Sequence, residues 1–274
     1  MLSEKVHLTK EKETMLITLY GRALQSRSKH PLLRDTWAEE AVQRVEYDFA
    51  KLKVGRRAAL LFACRATQLD RWTSSFLASH PDATVLHLGC GLDSRVYRIA
   101  PPPSVRWFDL DYPEVIALRQ RLYSERPGYH MIGSSLAELR WLDEVPGERP
   151  VMIVAEGVSM YLTEQIMQAL LIALTDHFPS GQLAFDAHTP QLVRWLTRTG
   201  ATVRGTGATF GWGIDNPADI KRLEPRLELI TELKAHELAA YATMPWSMRA
   251  LVRVMDTIPA LRVMRCLLYQ FERS

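Results

Sequence analysis

Apolar positions over the first eighty residues recur at helical spacing. Met15, Leu16, Leu19, Tyr20 and Ala23 fall three and four apart and predict a helix over 11–26. Pro31 breaks it. Asp35 or Thr36 is placed to cap a second helix reaching about residue 49. Leu60, Leu61, Cys64, Leu69, Trp72 and Phe76 lie inside a third, over 56–79. No strand period occurs in this stretch, so it reads as a helical cap that must cover something.

Beyond residue 80 the pattern changes. Short apolar runs at 85–88, 105–111, 129–132, 151–155 and 182–185 read as buried parallel strands. Asp93, Pro113 and Thr163 are placed to start helices between them, running to about 99, 123 and 177. Pro179-Ser180-Gly181 is expected to turn the chain. Residues 189–198 look helical. Residues 199–216, rich in Gly, Thr and aromatics, read as a loop in which Phe210 and Trp212 either wall a ligand or anchor a surface loop. A short helix at 217–223, a strand at 227–232, helices at 237–242 and 246–256, and a last strand at 263–271 complete the chain. Five βα units followed by strand, helices and strand predict an α/β doubly wound sheet. The expected division is a cap, 1–80, and a ligand-binding domain, 81–274, with loop and helix insertions near 199–225 and 236–260.

Composition narrows this little. The 274 residues are 47% hydrophobic and 24% charged, ordinary for a globular protein. A net charge of +3 is too mild to argue for nucleic acid, and the basic stretches at 10–12 and 51–57 read as solvated helix faces. Cys64, Cys90 and Cys266 are far apart and odd in number, with no CxxC, so neither a disulfide framework nor a zinc site follows. With no signal-peptide core at the N-terminus and no run near membrane-spanning length, a cytoplasmic protein is expected.

The chemistry gathers at the strand ends. The first strand stops at Gly89-Cys90-Gly91, a turn that lets backbone approach a nucleotide-like ligand. The third glycine of a dinucleotide fingerprint is replaced by Ser94, which leaves a pyrophosphate poorly served. The next strand ends in Asp109-Leu110-Asp111, at the distance where an acid binds ribose hydroxyls. A glycine turn with a ribose acid but no phosphate cradle favours S-adenosylmethionine over NAD. The competing reading is an ordinary βα turn with a solvated aspartate. Ser135, Glu156 and Asp186 fall at further strand ends, where such folds bind ligands.

Several pieces, in order along the chain, resemble one family. They are Lys12-Glu13-Thr14, Arg34-Asp35 with Ala38-Glu39, Arg65 with Leu69-Asp70, Leu88 to Arg95, Asp109 to Pro113, Ala155 to Val158 with Tyr161-Leu162, and Trp212 to Asn216. The chain resembles the leucine carboxyl methyltransferases, within the class I S-adenosylmethionine-dependent methyltransferases, and most of all their bacterial branch of tetracenomycin-type polyketide O-methyltransferases. The resemblance implies a Rossmann-like, seven-stranded sheet and S-adenosylmethionine as cofactor. It implies a small acid, aromatic or polyketide-like, as methyl acceptor and partner. It implies cofactor contacts at Arg65, Gly89, Cys90, Gly91, Asp111, Ser135, Leu136 and Glu156, and acceptor contacts at Arg65 and Tyr161. Ser135 departs from the aspartate frequent there, which leaves adenine to neighbouring backbone.

A carboxylate acceptor is already ionised and needs no base, only an arginine fork, a hydroxyl and a dry site. Arg65 either supplies that fork or pairs with Asp70 or another carboxylate. Glu156 either holds the cofactor or sits at a sheet edge. Asp109 reads as a helix-capping or structural partner, Arg95 as the partner of a carboxylate, and His87 as a satisfied core residue. Tyr161 is either a packing residue or the steadying hydroxyl. A phenolic acceptor would need a base, and His188 is placed for that role. A third reading is a cofactor-binding protein without catalysis. The acceptor's identity and the oligomeric state are not encoded in these patterns.

Overall fold

In the computed structural model, residues 4–5, 11–199, 211–258 and 264–273 are described. Seven strands form one sheet: β1 (Thr84–Leu88), β2 (Arg106–Asp111), β3 (Tyr129–Gly133), β4 (Val151–Ala155), β5 (Ser180–Ala187), β6 (Glu228–Lys234) and β7 (Arg265–Glu272). Their order is β3-β2-β1-β4-β5-β7-β6. The first five run parallel, and β7 is antiparallel to both neighbours. Strand order reverses between β1 and β4, which is where such sheets open a crevice at their carboxyl ends.

Side-chain alternation divides the core. Leu86, Leu88, Phe108, Leu110, Ile153 and Phe185 point to one face. There they meet Met167, Leu170, Leu171 and Leu174 of helix α6 (Glu164–His177), which begins at Thr163, whose hydroxyl accepts from Ile166 N. Val85, Trp107, Met152, Val154 and Ala184 point to the other, against Leu69, Phe76 and Leu77 of helix α3 (Arg56–Ser79). α3 is thus a layer of the sheet domain as well as part of the N-terminal helical region. Helices α1 (Glu11–Ser26) and α2 (Thr36–Arg44) pack instead on α5 (Pro113–Leu122) and on Leu92.

The helices α1 and α3 run as their periodicity predicts. The second helix is shorter than expected. It ends at Arg44, and Val45–Glu46 pair in parallel with Glu4–Lys5, so the region does carry a little sheet. A β-branched residue followed by Glu46 and Tyr47 favours the extended backbone taken there. Asp93 does not cap α4 (Arg95–Ile99). Ser94 holds the N-cap position, and Asp93 binds the guanidiniums of Arg95 at 3.1 Å and Arg98 at 2.6 Å. Gly181 lies inside β5 rather than in a turn, because a Cβ there would sit 2.4 Å from Val151 O of the paired strand. The strand continues past Phe185 to Ala187. The helix expected near 237–242 is two 3-10 turns, Ala235–Glu237 and Ala239–Thr243. The start of the last predicted strand lies outside the described residues. Three further helices are α7 (Pro190–Thr199), α8 (Asp219–Leu223) and α9 (Trp246–Thr257). Among the described residues, no helix is long and apolar enough to cross a membrane.

Under the first two strand ends lies a polar hub. Asp109 is fully buried. It binds Arg119 and accepts hydrogen bonds from His87 Nδ1 at 3.1 Å, Trp107 Nε1 at 2.8 Å and the Tyr129 hydroxyl at 2.5 Å. Burial pushes its pKa up, but Arg119 and the donated hydrogen bonds outweigh that and hold it at about 2. Asp109 and His87 are structural, as their sequence context indicated. Asp109→Asn leaves Arg119 buried beside a neutral partner and is expected to cost about 3–5 kcal/mol in denaturant unfolding. Because its pKa lies below the ordinary 3.8, the wild-type contribution is complete above that value and is lost as pH falls toward about 2. The variant's stability lacks that acid-side loss.

Candidate active site

At the carboxyl ends of β1, β2, β4 and β5 lies a cavity of about 560 Å³. That volume suits a cofactor-sized molecule. Arg65, Gly89, Cys90, Gly91, Asp111, Ser135, Leu136, Glu156, Tyr161 and His188 all line it. The residues singled out in sequence therefore converge, although they span more than 120 positions.

Two glycines shape one wall. Gly89 has φ +60° and Gly91 has φ +49°. A Cβ on Gly89 would meet Val158 Cγ2 at 2.4 Å, and one on Gly91 would meet Met15 Cβ at 3.0 Å. The turn therefore needs residues without side chains. Asp111 closes over it, Oδ2 accepting from Gly91 N and Oδ1 from Tyr112 N, both at 2.7 Å. Burial raises its pKa against those two bonds. Cys90 is buried, and burial pushes its thiol well above the ordinary range, so no thiolate nucleophile forms there.

Opposite, the guanidinium of Arg65 is already committed. Nε donates to Glu156 Oε1 at 3.1 Å and Nη1 to Asp186 Oδ2 at 2.8 Å. Its partners are these two carboxylates rather than Asp70, which binds Arg95 and Arg98. An open bidentate fork for an acceptor is therefore not available. Nη2 has no hydrogen-bond partner among the described residues. Glu156 is likewise not at a free edge: its second oxygen accepts from Arg95 Nη2 at 2.5 Å. Arg95 pairs with carboxylates, as its position in the sequence indicated.

Asp186 was marked in sequence only as a strand-end acid. It is buried and joins three segments, with Oδ1 accepting from Gly157 N at 2.5 Å, Oδ2 from Arg65, and its backbone oxygen from Ser159 Oγ at 2.7 Å. Tyr161 donates to Thr14 Oγ1 at 3.3 Å. His188 is half-buried. Burial, reinforced by Arg65 and Arg265 against the pull of Asp186, lowers its pKa, so the ring is neutral at pH 7.

Some lining residues escaped sequence reasoning. Thr18 and Arg22 of α1 continue at four-residue spacing from Thr14, which the sequence marked only within a resemblance, and that polar line could have been read. Phe62, Trp195, Met255 and Met264 supply an apolar wall. Trp212 packs on the core instead of lining the cavity, and Phe210 lies outside the described residues. Among the described residues, no cluster of His, Cys, Asp or Glu could hold a metal ion.

The wall fits a sulfonium nucleoside. It combines a side-chain-free turn, a buried carboxylate above it, and an excess of negative charge. Asp93, Asp111 and Glu156 line it against Arg22 and Arg65, and behind them stand Asp35, Asp70, Asp109 and Asp186 with Arg95, Arg98 and Arg119. Such a surplus favours a cation.

This sheet order, with its crevice at the switch point, defines a class I methyltransferase fold. A putative methyltransferase from Thermobifida fusca superposes with TM-score 0.61 at 15% identity, covering 97% of this chain and 96% of the other. Magnesium protoporphyrin IX methyltransferase from Synechocystis, solved with bound S-adenosylhomocysteine, superposes with TM-score 0.51 at 12% identity, covering 82% and 93%. Residues 15–175 match the leucine carboxyl methyltransferase family. The tetracenomycin polyketide synthesis O-methyltransferase TcmP of Streptomyces glaucescens is 46% identical over 226 residues, 82% of this chain and 83% of that protein. The S-adenosylmethionine-dependent methyltransferase dpfgK of Gibberella zeae is 32% identical over 92% of both. The chain belongs to the leucine carboxyl methyltransferase family and is an S-adenosylmethionine-dependent methyltransferase.

Asp111→Asn supplies one acceptor where two backbone N–H groups require two. Calorimetry should find S-adenosylhomocysteine bound about 10- to 150-fold more weakly, the worth of about 1.5–3 kcal/mol for charge-assisted hydrogen bonds. Since burial raises the Asp111 pKa, wild-type affinity should decline on acidification at a pH above the ordinary aspartate value of 3.8. The variant should lack that decline.

Proposed function

We propose that this enzyme methylates a carboxylate oxygen of a small aromatic, polyketide-like acid in the cytoplasm, with no nucleic acid or membrane involved. One observation carries the reading. Arg65 Nη2 and the Tyr161 hydroxyl share the cavity with an apolar wall of Phe62, Met160, Leu192 and Met264. This arrangement suits a flat apolar body bearing one anionic oxygen pair. The likeness to TcmP, named for tetracenomycin polyketide synthesis, supports the acceptor class.

The bound cofactor supplies an electrophilic methyl group on a sulfonium. The chain's residues bind and orient. Asp111 would take the ribose hydroxyls, and the Gly89–Gly91 backbone with Ser135 and Leu136 would hold the rest of the nucleoside. Glu156 neutralises the cationic end. Arg65, held by Glu156 and Asp186, aims a single N–H face rather than a fork. Tyr161 would turn its hydroxyl hydrogen from Thr14 to the acceptor oxygen, and α1 with α3 excludes water. No proton moves, because the acceptor is ionised at neutral pH.

A second reading keeps the cofactor and takes a phenol. His188 favours it, since its neutral ring lines the cavity and Nδ1 is buried without a hydrogen-bond partner among the described residues.

Turnover with labelled S-adenosylmethionine and a panel of aromatic acids and phenols separates the two. The carboxylate reading expects products that mild base hydrolyses. Tyr161→Phe should lower kcat/KM about 10- to 100-fold, and His188→Ala less than about tenfold. Base-stable ethers, with a loss of about 10²–10⁴ in His188→Ala, would replace it with the phenol reading. In that case kcat/KM would fall on acidification through a value below 6.5, where His188 gains its proton.

A further inference from the structure

Inside the cavity an acid finds one guanidinium nitrogen, Arg65 Nη2, and one hydroxyl, Tyr161, amid paired charges. Arg65 is shared between Glu156 and Asp186, and Glu156 between Arg65 and Arg95, so these charges are largely spent on one another. They leave little positive charge to draw an anion in. Preference for an anionic acceptor must arise elsewhere on its path.

Helix α7 brings an exposed residue to the cavity wall. Leu192 and Trp195 of this helix line the cavity, and Trp195 is 53% exposed. Its indole is thus a large apolar surface that both borders the cavity and is reached by water. Arg194 and Arg198 are exposed and one helical turn apart, and Arg198 is the i+3 neighbour of Trp195. The helix holds no carboxylate. Among the described residues neither arginine has an ion-pair partner. Two further exposed arginines stand on other lining elements: Arg57 precedes Ala58 in α3, and Arg253 shares α9 with Met255.

We propose that α7 is the acceptor-selecting element of this enzyme. Trp195 receives the aromatic body at the entrance, while Arg194 and Arg198 draw its anionic group. The acceptor is thus an aromatic anion chosen at the mouth, before it reaches the paired charges inside. The inference rests on the aromatic-acid reading above. Guanidiniums at such range act through a field screened over about 8–10 Å at ordinary ionic strength, so the selection is salt-dependent. Trp195 contributes area, which salt does not screen.

Two fluorescent probes test this without turnover: the anion 8-anilinonaphthalene-1-sulfonate and neutral N-phenyl-1-naphthylamine. Both are titrated with the cofactor pocket saturated by S-adenosylhomocysteine. Wild type should bind the anion several-fold more tightly in about 20 mM than in about 300 mM salt, and the neutral dye equally in both. Arg194→Gln with Arg198→Gln should weaken the anion about 3- to 10-fold at low salt and flatten its salt dependence. The neutral dye should change less than about twofold. Arg194→Lys with Arg198→Lys, which keeps the charge, should restore most of the anion's affinity. Trp195→Ala should weaken both dyes about tenfold. Affinity for S-adenosylhomocysteine in each variant is the control for folding. An unchanged salt dependence in the glutamine variant, an equal loss of both dyes on arginine replacement, or dye binding indifferent to Trp195 would overturn the proposal. Ether in place of ester in the turnover assay would instead overturn the carboxylate reading and leave the dye result standing.

Discussion

A chain of alternating carboxylates and guanidiniums runs beneath the cavity, from Asp186 through Arg65, Glu156, Arg95, Asp70, Arg98 and Asp35 to Arg22. Every neighbouring pair lies within 3.3 Å. Removing such ions from water costs several kcal/mol each, and apolar substitutes of similar shape often stabilise a protein more. Stability is therefore a poor account of why these groups are here. What the chain supplies is position. It links the end of β5, the middle of α3, the end of β4, the short α4, the start of α2 and the inner face of α1. Glu156 cannot shift without losing Arg65 or Arg95, and Arg65 cannot turn toward a ligand without abandoning one of two carboxylates.

The sheet makes that chain possible. Its parallel strands are apolar on both faces, covered by α3 on one and α6 on the other, so the polar groups have only the strand ends to occupy. The crossover between β3 and β4 opens the space between β1 and β4, and the backbone turns at Gly89 and Gly157 both face it. The helices α1 and α2 rest on α5 and Leu92 and are held to α4 by Asp35, which caps α2 through Ala38 N and binds Arg98. The helical region is therefore joined to the cofactor turn by ions as well as by apolar packing.

Strand ends were legible because they carry two signals at once. Val85 to Leu88 reads as a buried strand by composition, and Gly89-Cys90-Gly91 marks where it must stop. Asp111 was legible by its distance from that turn. The limits of helices were less so. Asp93 looks like a cap by residue type, but its charge is drawn to Arg95 and Arg98, and a cap position cannot compete with two guanidiniums. Gly181 looks like a turn residue two positions after a proline, and only the closeness of the Val151 carbonyl explains it as a strand glycine. The partners of Arg65 were not readable, because Glu156 and Asp186 are brought to it by β4 and β5 from 91 and 121 positions away. Trp195 was overlooked for a related reason. Helical periodicity says which residues share a face and is silent on whether that face meets a cavity.

The charge distribution also bears on how rate is gained. Transfer of a methyl group from a sulfonium to a carboxylate cancels charge as the new bond forms. A wall with surplus carboxylates holds the cationic donor more firmly than the neutralised arrangement that follows, which by itself opposes the reaction. The opposing effect is limited because most of those carboxylates already face arginines. The remaining advantage has to come from orientation and exclusion of water, and the apolar wall of Phe62, Met160, Leu192 and Met264 is built for both. On this view, the interior secures the donor, the apolar wall aligns the acceptor, and charge selection is left to the entrance, where it cannot strengthen the ground state.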